Sequence, residues 1–161
     1  MIYYSVYESP LGKMFITESN EKITGIYFEG QKHFPKAINE WNLSLTTQIK
    51  KAISQLQEYF NGERREFQLP LKPEGTAFQY QVWEQIAKVQ HGETIQYGEI
   101  AKNIGKPNSS RAVGSATGKN PISVIIPCHR VLGKSGKMTG YAGGLNRKEA
   151  LLQLENKEIP P

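Results

Sequence analysis

A single cysteine, Cys128, occurs in 161 residues, so an internal disulfide and a multi-cysteine zinc site are both excluded. A structural metal is not expected. No stretch approaches the roughly 18 consecutive apolar residues of a membrane span, and residues 1–10 have neither the basic start nor the apolar run of a secretory signal. The expected location is therefore intracellular, in the cytoplasm. Acidic residues are missing from one long stretch. Residues 100–148 contain Lys102, Lys106, Arg111, Lys119, Arg130, Lys134, Lys137, Arg147 and Lys148 and no acid at all. The net charge of +5 is carried entirely by residues 75–161, because the first 74 residues balance. A solvated basic surface would account for such a block, and so would a polyphosphate partner.

What is present is enough for a folded core, at 38% hydrophobic residues. Short runs rich in β-branched and aromatic residues at 2–7, 13–17 and 23–28 predict a small antiparallel meander. Ile49, Ile53, Leu56 and Phe60 then follow helical spacing, with Asn61-Gly62 placed as a C-cap. Residues 1–65 cluster no nucleophiles, ligands or cations, and His33 stands alone near Pro35, so this part reads as scaffold. Pro70, Pro73 and Gly75 mark a connector over about 69–75 between domains at 1–70 and 76–161. Beyond it, Thr76 is placed to cap a helix with the stripe Phe78, Val82, Ile86 and Val89, which Gly92 should close.

A helix over 97–104, stopped by Gly105, and a turn at Lys106-Pro107-Asn108 predict a helix-turn-helix whose second helix is capped by Ser109 or Ser110. That helix, Arg111-Ala112-Val113-Gly114-Ser115-Ala116-Thr117-Gly118, consists almost wholly of small residues, and Gly114 costs it about 1 kcal/mol relative to alanine. Close packing in a core would explain this composition. With the acid-free block around it, DNA binding is the other reading. Arg111, Ala112, Gly114, Ser115 and Thr117 would then face DNA, in the minor groove, with Arg111 entering the stack where a base has been extruded.

Residues 122–126 form an apolar run of strand character that stops at Pro127, so Cys128 is expected at a strand end. A lone cysteine is commonly a small buried hydrophobe. Here His129 is adjacent, and cationic surroundings would depress the thiol pKa. An acting histidine needs an acceptor to hold its second nitrogen. In a last helix, capped by Asn146 with Glu149 three residues on, Lys148, Leu151 or Leu152, and Glu155 fall on one stripe. Spacing alone leaves Glu155 equally readable as an exposed helix glutamate.

Phe78-Gln79, Val82-Trp83, Gly92-Glu93-Thr94, Tyr97-Gly98-Glu99-Ile100-Ala101, Arg111-Ala112-Val113-Gly114, Asn120-Pro121 and above all Ile125-Ile126-Pro127-Cys128-His129-Arg130-Val131 resemble the O6-alkylguanine-DNA alkyltransferases. The motifs run in the family's order over residues 76–155. The resemblance implies an α/β N-terminal domain of ribonuclease H-like type and a mainly α, winged helix-turn-helix-like C-terminal domain. It implies direct-reversal repair of double-stranded DNA by a monomer, with single-turnover transfer to Cys128 of the O6-alkyl group of guanine, O4-alkylthymine being the second substrate to test. His129 would act as base through a water and Glu155 would orient it. Asn120 would brace the turn into the reactive segment, Tyr97 would donate to the flipped guanine, and Arg111 would fill the gap it leaves. Lys148 would lie near the thiolate. The Val131 carbonyl and the Ala142 backbone NH, with Tyr141 beside it, would form the base pocket. Gln90 departs from the proline found in many relatives, and Ala142 from the serine found in some. Two rivals fit some of the same residues: a non-catalytic lesion sensor, and a Cys-His-Glu hydrolase.

Overall fold

The Ser9-to-Gly12 turn, with Gly12 at φ 110°, folds β1 (Tyr3–Ser9) onto β2 (Gly12–Ser19), and a second tight turn at Asn20 and Glu21 leads into β3 (Lys22–Phe28). These three strands form the expected meander. The sheet has a fourth member that sequence does not announce: β4 (Asn42–Leu43), two residues long, pairs parallel to β1 and makes the sheet mixed, in the order β3-β2-β1-β4. Alternation places Met14, Ile16, Ile26 and Phe28 on a fully buried face. Helix α1 (Thr47–Phe60) packs across that sheet. Thr46 caps it by accepting the Ile49 NH at 3.2 Å, and Gly62, at φ 77°, follows its C-cap Asn61. Its buried face is Ile49, Ala52, Leu56 and Tyr59. Phe60, which spacing placed on the inner stripe, is only partly buried, and Tyr59 takes the inner position.

The computed structural model describes residues 1–156; residues 157–161, the end of the predicted second domain, lie outside the described residues. Helix α2 (Ala77–Ala87) opens on a capping box in which Thr76 and Gln79 satisfy each other's backbone NH groups. It stops at Ala87, five residues before Gly92, because Lys88 and Val89 turn on three-residue hydrogen bonds; Gly92 instead forms the positive-φ turn that leads into β5 (Ile95–Gln96). Helices α3 (Tyr97–Asn103) and α4 (Ser110–Gly118) form the helix-turn-helix and pack with α2, where the Trp83 indole donates to the Ala116 carbonyl at 2.9 Å. Ser109 is the α4 N-cap residue but makes no side-chain cap bond.

The run at 122–126 is not a strand. Val124 has φ 72°, and only Ile122 bridges a strand, at Ile26. The Asn120 side chain takes the place of a neighbouring strand. Its Oδ1 accepts the Ile122 NH at 2.9 Å, and its Nδ2 donates to the Ile126 carbonyl at 2.7 Å. Apolar residues are needed there because Ile122, Val124 and Ile126 are buried in a loop, not because they alternate in a sheet. A short 3-10 turn, Cys128–Arg130, leads into β6 (Val131–Leu132), which pairs parallel to β5. Helix α5 (Leu145–Asn156) starts one residue before Asn146, on the Gly144 carbonyl that accepts the Lys148 NH, so Asn146 lies inside its first turn and is not the cap. One continuous core contains residues of both halves, and no helix among the described residues is long and apolar enough to cross a membrane.

Candidate active site

Cys128 is 4% exposed, and Asn120 Nδ2 lies 3.2 Å from its sulfur. The thiol pKa is raised, not depressed as the neighbouring cations suggested. Burial dominates, and the Asn120 hydrogen bond and the Lys148 charge offset only part of it. A thiol held protonated at rest requires a base, and the chain supplies one next to it. His129 is fully buried, burial keeps its imidazole neutral, and Nε2 donates to Glu155 Oε2 at 2.7 Å. That bond fixes the tautomer and leaves Nδ1, which has no partner among the described residues, as the free basic nitrogen.

Glu155 is 5% exposed, which settles the alternative that spacing left open. Burial alone would push its carboxyl up, but hydrogen bonds from His129 and Arg130 outweigh it and hold the group below the usual carboxylate range. Arg130 clamps it bidentately, Nε to Oε1 at 2.7 Å and Nη2 to Oε2 at 2.9 Å, while Nη1 donates to the Val89 carbonyl at 2.6 Å. A further donor comes from the other half of the molecule: the Tyr59 hydroxyl reaches Oε2 at 2.6 Å. Sequence reasoning gave neither residue a role. Arg130 was counted among the polyphosphate-facing cations, and Tyr59 lay in a segment read as scaffold.

Lys148 is buried, its pKa lowered to about 8 by burial, and Nζ donates to the carbonyls of Val131 at 2.6 Å and Thr139 at 3.1 Å. One lone pair of the Val131 carbonyl is thus already used; the second remains for another donor. Thr139 also donates through Oγ1 to the Tyr97 hydroxyl at 3.0 Å. Of the acid-free block, Arg130, Arg147 and Lys148 turn inward, Arg147 to the carbonyls of Leu11 and Gly143.

Four of the remaining cations, Lys102, Arg111, Lys119 and Lys134, define a surface. An open groove of about 1230 Å³ is walled by Tyr97, Arg111, Gly114, Ser115, Tyr141 and Ala142, with Lys102, Lys119, Lys134, Lys32 and His33 around it. Ala112 is exposed but outside the wall. Thr117 faces the core, 5% exposed, and its hydroxyl donates to the Val113 carbonyl one turn back, at 2.7 Å, so it is not among the groove residues. Lys32 and His33 were not anticipated; the Lys32 NH donates to the Ala142 carbonyl at 2.9 Å and so brings the N-terminal half to the groove. Cys128 is not in the wall, but Tyr141, which is, lies near enough to feel its charge.

A helix-turn-helix with a cationic groove, backed by a buried thiol and a His-Glu relay, defines a DNA-binding protein built around cysteine chemistry. The family model for the 6-O-methylguanine DNA methyltransferase DNA binding domain matches residues 77–157, and that for the ribonuclease-like domain of the same proteins matches residues 2–73. The methylated-DNA–protein-cysteine methyltransferase of Methanosarcina acetivorans is 46% identical over 96% of this chain and 98% of its own, and that of Haemophilus influenzae is 46% identical over 96% and 86%. The crystal structure of the Mycobacterium tuberculosis O6-methylguanine methyltransferase superposes with a TM-score of 0.91 at 42% identity, covering 99% of this chain and 96% of that one. The same organism's protein in complex with DNA superposes at 0.89, with 43% identity, over 96% and 92%. The chain belongs to the methylated-DNA–protein-cysteine methyltransferase family.

Proposed function

We propose that this protein repairs double-stranded DNA by direct reversal, acting as a monomer where the cell keeps its DNA and taking the O6-alkyl group of a flipped guanine onto Cys128. The observation that carries this reading is the pairing of a buried, protonated thiol with a neutral imidazole whose other nitrogen is fixed by Glu155. His129 takes the thiol proton at Nδ1, through a water. The sulfur bonds to the alkyl carbon, the carbon–O6 bond breaks, and its electron pair returns to the base, which regains one proton as guanine. Tyr97 and the backbone at Val131 and Ala142 hold the base, and Arg111 occupies its place in the stack. The product is a thioether, which water does not cleave, so each molecule acts once and needs no cofactor.

Intact and peptide mass spectrometry after mixing with a duplex carrying one O6-methylguanine tests this. A gain of one methylene on Cys128, stoichiometric with lesion, is expected; an unmodified protein that retains the duplex would identify a sensor, and repeated turnover a hydrolase. Cys128→Ala is expected to bind the lesion duplex within about threefold of the parent and to transfer nothing, because affinity rests on the groove cations.

A further inference from the structure

Glu155 Oε2 is crowded: the Tyr59 hydroxyl, His129 Nε2 and Arg130 Nη2 all donate to this one oxygen, at 2.6, 2.7 and 2.9 Å. Tyr59 is 1% exposed and belongs to α1, the helix that carries the sheet, 96 residues away in sequence from the carboxylate it meets. Phe60, Phe67 and His91 pack around its ring edge-on or tilted. A buried tyrosine needs some partner for its hydroxyl. It does not need one already saturated by a guanidinium and an imidazole donor.

We propose that Tyr59 is a positioning residue of the His129–Glu155 relay, its hydroxyl competing with His129 for Oε2 and thereby setting how much carboxylate charge reaches the imidazole. This rests on Cys128 being the acceptor and His129 its base. Hydrogen bonds to a carboxylate stabilise its charged form and reduce what it offers any other donor. A histidine that felt all of Glu155 would be protonated too readily and would lose its capacity to take the thiol proton. Burial and the Arg130 and Lys148 charges also oppose protonation of His129, and Glu155 favours it. Around the cluster, His91 and Tyr141 are the other titratable groups coupled to Glu155. Removing only the Tyr59 hydroxyl leaves Arg130, Lys148, His91 and Tyr141 in place and alters the share of the Glu155 charge that His129 feels. The tyrosine itself stays a donor throughout, because burial and the adjacent Glu155 push its pKa far above the working range.

The test is single-turnover transfer from an O6-methylguanine duplex between about pH 5 and 9, with the His129 ring titrated in parallel by NMR. In Tyr59→Phe, the acidic limb and the His129 titration should both move up, by on the order of half to one pH unit, a roughly three- to tenfold loss of rate on the limb. Replacing Tyr59 with 3-fluorotyrosine, a stronger donor of nearly the same shape, should move both the opposite way. Phe67→Leu, which loosens the ring's packing but leaves the hydroxyl, should lower thermal stability with the limb in place. A Tyr59→Phe protein that is less stable but titrates like the parent would make Tyr59 merely structural. If Tyr59→Phe does not fold, an unmoved limb in the fluorotyrosine protein overturns the proposal by itself. If the parent transfers no alkyl group, the reading of Cys128 fails instead, and the NMR titration still decides the effect of Tyr59 on His129.

Discussion

Glu155→Gln keeps the shape of the buried carboxylate and removes its charge, leaving the Arg130 guanidinium, 6% exposed, without an anion. Breaking a buried pair from one side costs about 3–5 kcal/mol, readable as a lower urea midpoint at neutral pH. The pH dependence has a definite sign. A carboxyl whose folded pKa lies below its ordinary 4.5 contributes stability that is complete above that value and lost as pH falls through the folded one. The parent should therefore lose stability on acidification below about pH 4.5 more steeply than the glutamine variant. A second residue-scale prediction concerns Ala142, which lies in the groove wall. If its small side chain leaves room for large transferred alkyl groups, Ala142→Ser should lower the rate from O6-benzylguanine relative to O6-methylguanine, and competition between the two duplexes measures that ratio. An unchanged ratio would remove the connection.

Helix α4 shows how an element's composition can serve something other than its own stability. A β-carbon added at Gly114 would meet only the Tyr97 ring, at 3.9 Å, an ordinary contact. Gly114→Ala is therefore expected to stabilise the protein by about 1 kcal/mol through helix propensity, raising Tm, while weakening duplex binding several-fold because the methyl projects into the groove. Much of this element was readable: the small residues, Arg111 at the start and the turn before it. Thr117 was misassigned because helical spacing from Val113, which puts its hydroxyl on a carbonyl one turn back, outweighs its polar side chain. The strand expected at 122–126 failed for a related reason. A buried apolar run has the same appearance in a sheet and in an irregular loop, and the Asn120 amide that substitutes for the missing strand lies outside the run. Tyr59 and Lys32 were invisible, since each acquires its role only when the halves meet.

At the scale of the molecule, the groove draws on both halves, and its exposed cations Lys32, Lys102, Arg111, Lys119 and Lys134 surround one opening. Each that neutralises a phosphate should contribute about 0.9 to the slope of log affinity against log salt. Lys119→Ala should flatten that slope by roughly this amount on any duplex, lesion or not. Arg111→Ala should also reduce transfer at saturating DNA, because the residue that fills the stack is lost as well as a charge. The bridge between Ile26 and Ile122 has a separate bearing. β3 is an outer strand of its sheet, and the loop that carries the thiol, together with the bridge from Leu71 to Ile23, covers backbone groups that would otherwise be open to another chain. At the opposite edge, β4 offers only two residues. Substitutions that dislodge the 120–126 loop would thus uncover a template for strand addition, and their first symptom in a cell would be insoluble protein before any deficit in repair could be scored.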